Sequence, residues 1–162
     1  VNLDFPSRYG GNIRVVMRRI DGIKNSENFS DLLARESGFG ARLSEMGSEL
    51  IPNWIDRTKR ELELLMLENG GPLVFKAFPG RAAILVALLG LDESIMKVVL
   101  EQPHSKKVGH YIPGTRVPIV SESLYEWQSE SVIVNLAWHI KEEIHDYLAE
   151  SYGYKGRIID IM

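Results

Sequence analysis

Three stretches of this 162-residue chain gather side chains that could do chemistry. The first is the turn Ala77-Phe78-Pro79-Gly80-Arg81-Ala82, set between an apolar run and an apolar helix. Arg81 would bring a guanidinium beside the open amides of a helix start, a combination suited to an anion. The alternative is an exposed arginine in water. A dinucleotide fingerprint in this turn would need three spaced glycines, and Gly80 stands alone. Glu101 ends the next strand, where an acid could hold a ribose hydroxyl. Without the glycines it reads as a solvated strand end.

The second stretch is the loop of residues 102–116, with His104, Lys106, Lys107, His110, Tyr111, Thr115 and Arg116. No acidic residue falls between Glu101 and Glu122, so the loop makes a local positive field suited to a phosphate or diphosphate. Tyr111 could stack on a base or sugar. The duller reading is a solvated loop shaped by Pro113-Gly114, a type II turn signal. The third stretch is Trp138-His139, an indole surface and a proton carrier placed where an apolar strand gives way to a helix. A capping histidine under a packed tryptophan is the competing account. His139 and Glu143, and Glu142 and His145, have helical pair spacing, but no third ligand accompanies them, so no metal site is expected. Neither a Gly-x-Ser-x-Gly nucleophile turn nor a phosphate loop ending in Gly-Lys is present.

These side chains can meet only if the chain presents them on one edge of a sheet. Ile13, Val15 and Met17 alternate with Arg14, Val16 and Arg18 after Gly10-Gly11, which predicts a half-exposed strand. Leu43, Met46, Leu50, Trp54, Ile55, Leu62, Leu65 and Met66 recur at helical spacing, with Pro52 as either a first-turn residue or a kink. Arg57, Lys59, Arg60, Glu61 and Glu63 fill the opposite face of this arm, and Asn69-Gly70-Gly71-Pro72 stops it. The spacing then predicts a strand at 73–75, a helix apolar all round and therefore buried at 82–89, and a strand at 95–100. Further strands are predicted at 117–120, 131–136 and 157–161, with a short turn capped by Ser121 and a helix over 140–149. Short apolar strands alternating with helices mean a parallel sheet covered on both faces. The expected architecture is α/β: a Rossmann-like, mostly parallel sheet with flanking helices over 71–162, preceded by a strand and an amphipathic helical arm over 1–70.

The composition narrows the functions. With 19 basic and 22 acidic residues the net charge is −3, unlike a general nucleic-acid binder. There is no cysteine, which excludes disulfides and thiolate chemistry. No apolar run is long enough to span a membrane and the start lacks a signal-peptide pattern, so a cytoplasmic protein is expected. Val1 in place of methionine suggests a piece of a longer polypeptide.

Gly10-Gly11-Asn12-Ile13-Arg14, Phe78-Pro79-Gly80-Arg81, the run from Tyr111 through Pro113-Gly114-Thr115-Arg116 to Val120, and Leu136-Ala137-Trp138 occur in this order. Together they resemble the C-terminal domain of SAM-dependent sugar C-methyltransferases over nearly the whole chain. The resemblance implies that the SAM-binding domain and the catalytic acid/base segment precede this piece, which would itself hold a nucleotide-linked sugar. It implies no catalytic residue and no cofactor here, with SAM serving the full-length enzyme. Tyr9 stands where the family usually has histidine, Arg81-Ala82-Ala83-Ile84 where it has Lys-Gly-Asn-Thr, and His139 where it tends to have asparagine.

The reading that follows is a substrate-binding C-terminal part of a sugar C-methyltransferase. Arg81, His110, Tyr111, Thr115 and Arg116 would contact phosphate and sugar, and Trp138 and His139 would line the same crevice. The expected partners are the nucleotide-sugar and the methyltransferase domain, with a homo-oligomer possible. The alternative is a non-catalytic interaction or oligomerisation module with a Rossmann-like fold, in which the arm packs on a partner or a second copy. A stand-alone dinucleotide or acyl-cofactor binder is disfavoured by the missing glycines.

Overall fold

A computed structural model describes residues 2–5, 13–17, 27–127 and 131–162. The chain divides into two compact units, Val1–Trp54 and Ile55–Met162. In the first, β1 (Asn2–Asp4) pairs antiparallel with β2 (Arg14–Val16), setting Asp4 opposite Arg14, and those two side chains form an ion pair. The expected strand is there, but Ile13, Val15, Val16 and Met17 are all exposed. Helix α1 (Glu27–Glu36) and α2 (Phe39–Glu45) follow, and a π turn over Met46–Leu50 leads into α3 (Ile51–Asn69). The backbone stays helical through the π turn, so Pro52 lies within a continuous helix, and the wider turn before it accommodates the missing amide and the crowding its ring causes. Tyr9, Gly10, Gly11 and Asn12 lie outside the described residues.

The second unit is built on five parallel strands. They are β3 (Leu73–Lys76), β4 (Met96–Glu101), β5 (Ile119–Ser121), β6 (Val132–Asn135) and β7 (Arg157–Asp160), in the order β5-β4-β3-β6-β7. This is a Rossmann-like α/β fold. α4 (Ala82–Leu89) crosses from β3 to β4, and α5 (Lys141–Tyr152) from β6 to β7. The chain leaves the central β3 toward one edge and returns at β6 toward the other. That reversal sets a topological switch point at the carboxyl ends of β3 and β6, the place where such sheets commonly hold ligands.

α4 corrects one expectation. Ala82, Leu85, Val86 and Leu89 are buried, but Ile84 and Leu88 face solvent despite the helix having no polar residue. An apolar composition did not require burial all round, because only one stripe of a short helix can face the sheet. Gly90 then closes it in the left-handed conformation (φ 63°) that only glycine adopts without strain.

On the α5 side, Val74, Val98, Leu100 and Ile133 pack with Trp127, Leu148 and Tyr154. Lys76 has the same parity as Val74 and so enters this core, where it is 1% exposed. It forms an ion pair with Glu122, itself fully buried, and lies 5.6 Å from the centre of the Tyr147 ring. The Tyr147 hydroxyl donates to the other Glu122 oxygen, and the Trp127 indole donates to the Glu122 carbonyl at 2.9 Å. Burial pushes the Tyr147 phenol far above its ordinary value, helped by its hydrogen bond to Glu122; burial raises Tyr152 as well.

The fold therefore holds both phenolic protons more tightly than the unfolded chain does. Their stabilising contribution is complete below the ordinary tyrosine value of 10.0 and is lost as pH rises above it. Urea denaturation at successive pH values is expected to give a level free energy of unfolding up to about pH 9 and a fall beyond about pH 10. Tyr147→Phe should flatten that fall; an equally steep fall in the variant would refute the assignment.

Candidate functional site

The turn after β3 begins with Ala77 at φ 62°, a left-handed conformation costly for a residue with a Cβ. Its amide is held by the Leu100 carbonyl at 2.9 Å. Phe78 follows, buried, and its amide donates to Glu101 Oε1 at 2.8 Å. Lys107 from the long loop reaches the same oxygen at 2.9 Å and also donates to the Phe78 carbonyl. One lysine and one glutamate thus hold the tip of the central strand. Burial alone would raise the Glu101 carboxyl. The hydrogen bonds from Lys107 and the Phe78 amide, with the charges of Lys107 and Lys76, outweigh it and hold Glu101 below the ordinary value. Glu101 is thus tied to the very turn across which it would have to meet a ribose.

The long loop is a hairpin folded back on the start of β5. Gly109 N–H donates to the Ile119 carbonyl, Ile119 N–H to the His110 carbonyl, and Ile112 N–H to the Val117 carbonyl. Its bend is the type II turn read from Pro113-Gly114: Gly114 has φ 81° and the Thr115 amide donates to the Ile112 carbonyl at 3.0 Å. The Thr115 hydroxyl is committed to this bend, donating to the Ile112 carbonyl at 3.0 Å and accepting from the Val117 amide at 3.1 Å. The Arg116 amide donates to Glu93, and its side chain is exposed.

Between hairpin and turn lies a cleft of about 330 Å³ lined by Phe78, Gly80, Lys106, Lys107, His110, Tyr111, Pro113 and Ile119. Its floor is apolar, Tyr111 offers an exposed ring, and the rim carries the two lysines and His110. The structure thus brings His110 and Tyr111 to one cleft, and places Thr115 and Arg116 outside its lining. On the β6 side of the turn, Trp138 and His139 form a short 3-10 turn with their rings edge to face, 5.3 Å apart. Burial lowers the His139 pKa, and the nearby positive charge of Arg81 lowers it further against the opposing effect of Glu143. Arg81, Trp138 and His139 therefore form a second group across the same turn.

Two expectations change here. The first amides of α4 are not open to an anion: those of Ala82, Ala83 and Ile84 bond to the carbonyls of Pro79, Gly80 and Arg81. Tight 3-10 bonding closes this short helix start and leaves the Arg81 side chain without the open amides expected beside it. Ser121 occupies the position before the turn Glu122–Leu124, but its hydroxyl pairs with Ser123 and caps nothing. The ties from Lys107 to Glu101 and Phe78 went unread because lysines in a basic loop look like solvent-facing charge. The paired residues Glu101 and Lys107 lie close in sequence, which is the one signal that could have suggested them.

Among the described residues no group of three or more histidine, aspartate or glutamate side chains converges as a metal site would, and no helix is long and apolar enough to cross a membrane.

The strand order, with its reversal between β3 and β6, defines an α/β unit of the Rossmann-like class. Within that class the chain belongs to the family of C-methyltransferase C-terminal domains, whose model matches residues 7–162. No curated protein matches the chain.

Proposed function

We propose that this chain is the nucleotide-sugar-binding part of a SAM-dependent sugar C-methyltransferase, with the methyl donor and the proton-transferring groups carried outside these residues. Family membership supports the methyltransferase assignment. The observation that carries the binding role is the cleft itself, where an apolar floor, an aromatic wall and a cationic rim meet beyond the strand tips. Lys106 and Lys107 would take the diphosphate, with Arg81 reaching from the next turn, and Tyr111 would stack on the base. Trp138 and His139 would face the sugar.

Glu101, tied to Phe78 and Lys107, and the turn with its single glycine do not fit an adenosine cofactor, which is why the donor is assigned elsewhere. The implied reaction removes a proton from a carbon beside a sugar carbonyl and methylates it, which needs a base and a stabiliser of the enolate. Neither role falls to this chain, whose residues bind and orient. A nucleotide-sugar substrate also implies the cytoplasm.

Amide NMR spectra of the chain titrated with uridine diphosphate test this. Shifts are expected at Gly80, Arg81, His110 and Tyr111, and they should weaken with added salt as a charge-driven contact does. If neither uridine nor thymidine diphosphate moves these signals, the binding role is wrong.

A further inference from the structure

Asn135 and Asp160 end β6 and β7 side by side, and α5 packs on one face of these strands through Ile144 and Leu148, against Ile133 and Ile158. Asp160 has the parity of Ile158 and so turns toward α5. There its Oδ2 lies 3.2 Å from Nε2 of His145. That nitrogen is buried and makes no aligned hydrogen bond, so the contact depends on the charge of the ring. The other carboxylate oxygen of Asp160 accepts from Asn135 Nδ2 at 2.7 Å, and Asn135 Oδ1 accepts from the Ala137 amide at 2.9 Å. Asn135 is fully buried, and its side chain has one donating and one accepting end. The carboxylate therefore fixes which end meets Ala137, the residue that leads into the short turn of Trp138 and His139.

We infer that His145 is a proton-sensitive positioning residue for the Trp138–His139 turn, acting through Asp160 and Asn135. Histidine is the side chain that changes charge across the physiological range. A charged ring draws on the Asp160 carboxylate and lessens the negative charge that falls on the Asn135 N–H. A neutral ring leaves that charge to Asn135. The change reaches the Ala137 amide through one buried side chain. The neighbouring charges are balanced: Lys141 and Glu142, one turn back on α5, oppose each other, and Lys76 and Glu122 are paired beneath the helix. His139 stands in the turn itself. Burial and the charge of Arg81 hold it below the 6.5 of an ordinary histidine, so its own step comes at lower pH.

NMR spectra of the full chain, without ligand, recorded over about pH 5–8 test this. The His145 ring protons, the Asn135 side-chain NH2 and the Ala137 amide are expected to move in one coincident step. His145→Gln, at a side chain 41% exposed, should abolish that step at Asn135 and Ala137 and leave the His139 step in place. Asp160→Asn keeps an acceptor for Asn135 but no charge to answer the ring. In that variant the His145 ring should still titrate while Asn135 and Ala137 no longer follow it. A merely structural contact would leave Asn135 and Ala137 flat in the parent chain, which would overturn the inference, as would a step at these signals that survives either variant. That a sugar held at Trp138 and His139 would feel this dependence rests on the binding reading above. The relay is measured without ligand, so its failure leaves that reading standing.

Discussion

Lys76→Met is expected to lower the free energy of unfolding by about 3–5 kcal/mol, the largest effect of any single substitution considered for this chain. Glu122 is fully buried, and its carboxylate is held by the Lys76 ammonium and the Tyr147 hydroxyl. Removing the ammonium leaves a buried negative charge facing the Tyr147 and Tyr152 phenols without its counter-ion, where water cannot reach to compensate. The cost is that of an orphaned charge rather than the worth of the pair, because desolvating both ions consumed most of their attraction. Lys76→Met with Glu122→Leu should therefore be markedly more stable than Lys76→Met alone, although two substitutions separate it from the parent. Since domains of this kind are stable by about 5–15 kcal/mol, the single variant should shift visibly in urea denaturation. A change under about 1 kcal/mol in Lys76→Met, or no recovery in the double variant, would show that the pair is not an isolated buried charge couple.

That network marks the limit of what could be read from the residues in order. The strands were legible because Leu73-Val74-Phe75 and Val132-Ile133-Val134 are continuous apolar runs, as strands buried on both faces must be. The turn at Pro113-Gly114 was legible because its backbone requirement is local. Lys76 was not, because a lysine ending an apolar run looks like the start of solvent, and its partner Glu122 lies 46 residues away. β1 was invisible for another reason: Asn2–Asp4 is too short to show a period, and it exists by pairing with β2. The candidate site was legible as a basic loop and a turn with one glycine. Which of its cations face the cleft depended on the hairpin, which turns Lys106, His110 and Tyr111 to it and binds the Thr115 hydroxyl into its own bend.

Lys107 joins the structural and functional readings, and it carries the second large expectation. It lines the cleft, yet its ammonium is bonded to Glu101 and to the Phe78 carbonyl. If the cleft holds a diphosphate, Lys107→Met removes an attractive charge and also exposes the ligand to a carboxylate no longer neutralised. A charge contact of this kind is worth about 1–3 kcal/mol, and losing it while gaining a repulsion should weaken uridine diphosphate binding by about 30-fold or more. Lys106→Met, which removes a rim charge and uncovers no carboxylate, should cost roughly threefold to tenfold. Calorimetric titration of the two variants separates these cases. Glu101→Gln combined with Lys107→Met should recover binding to about the level of Lys106→Met, since the amide keeps an acceptor for the Phe78 N–H without the negative charge. Equal losses in Lys106→Met and Lys107→Met would mean that Glu101 does not face the ligand. Failure of the double variant to recover would place the role of Lys107 in shaping the turn, through its bond to the Phe78 carbonyl.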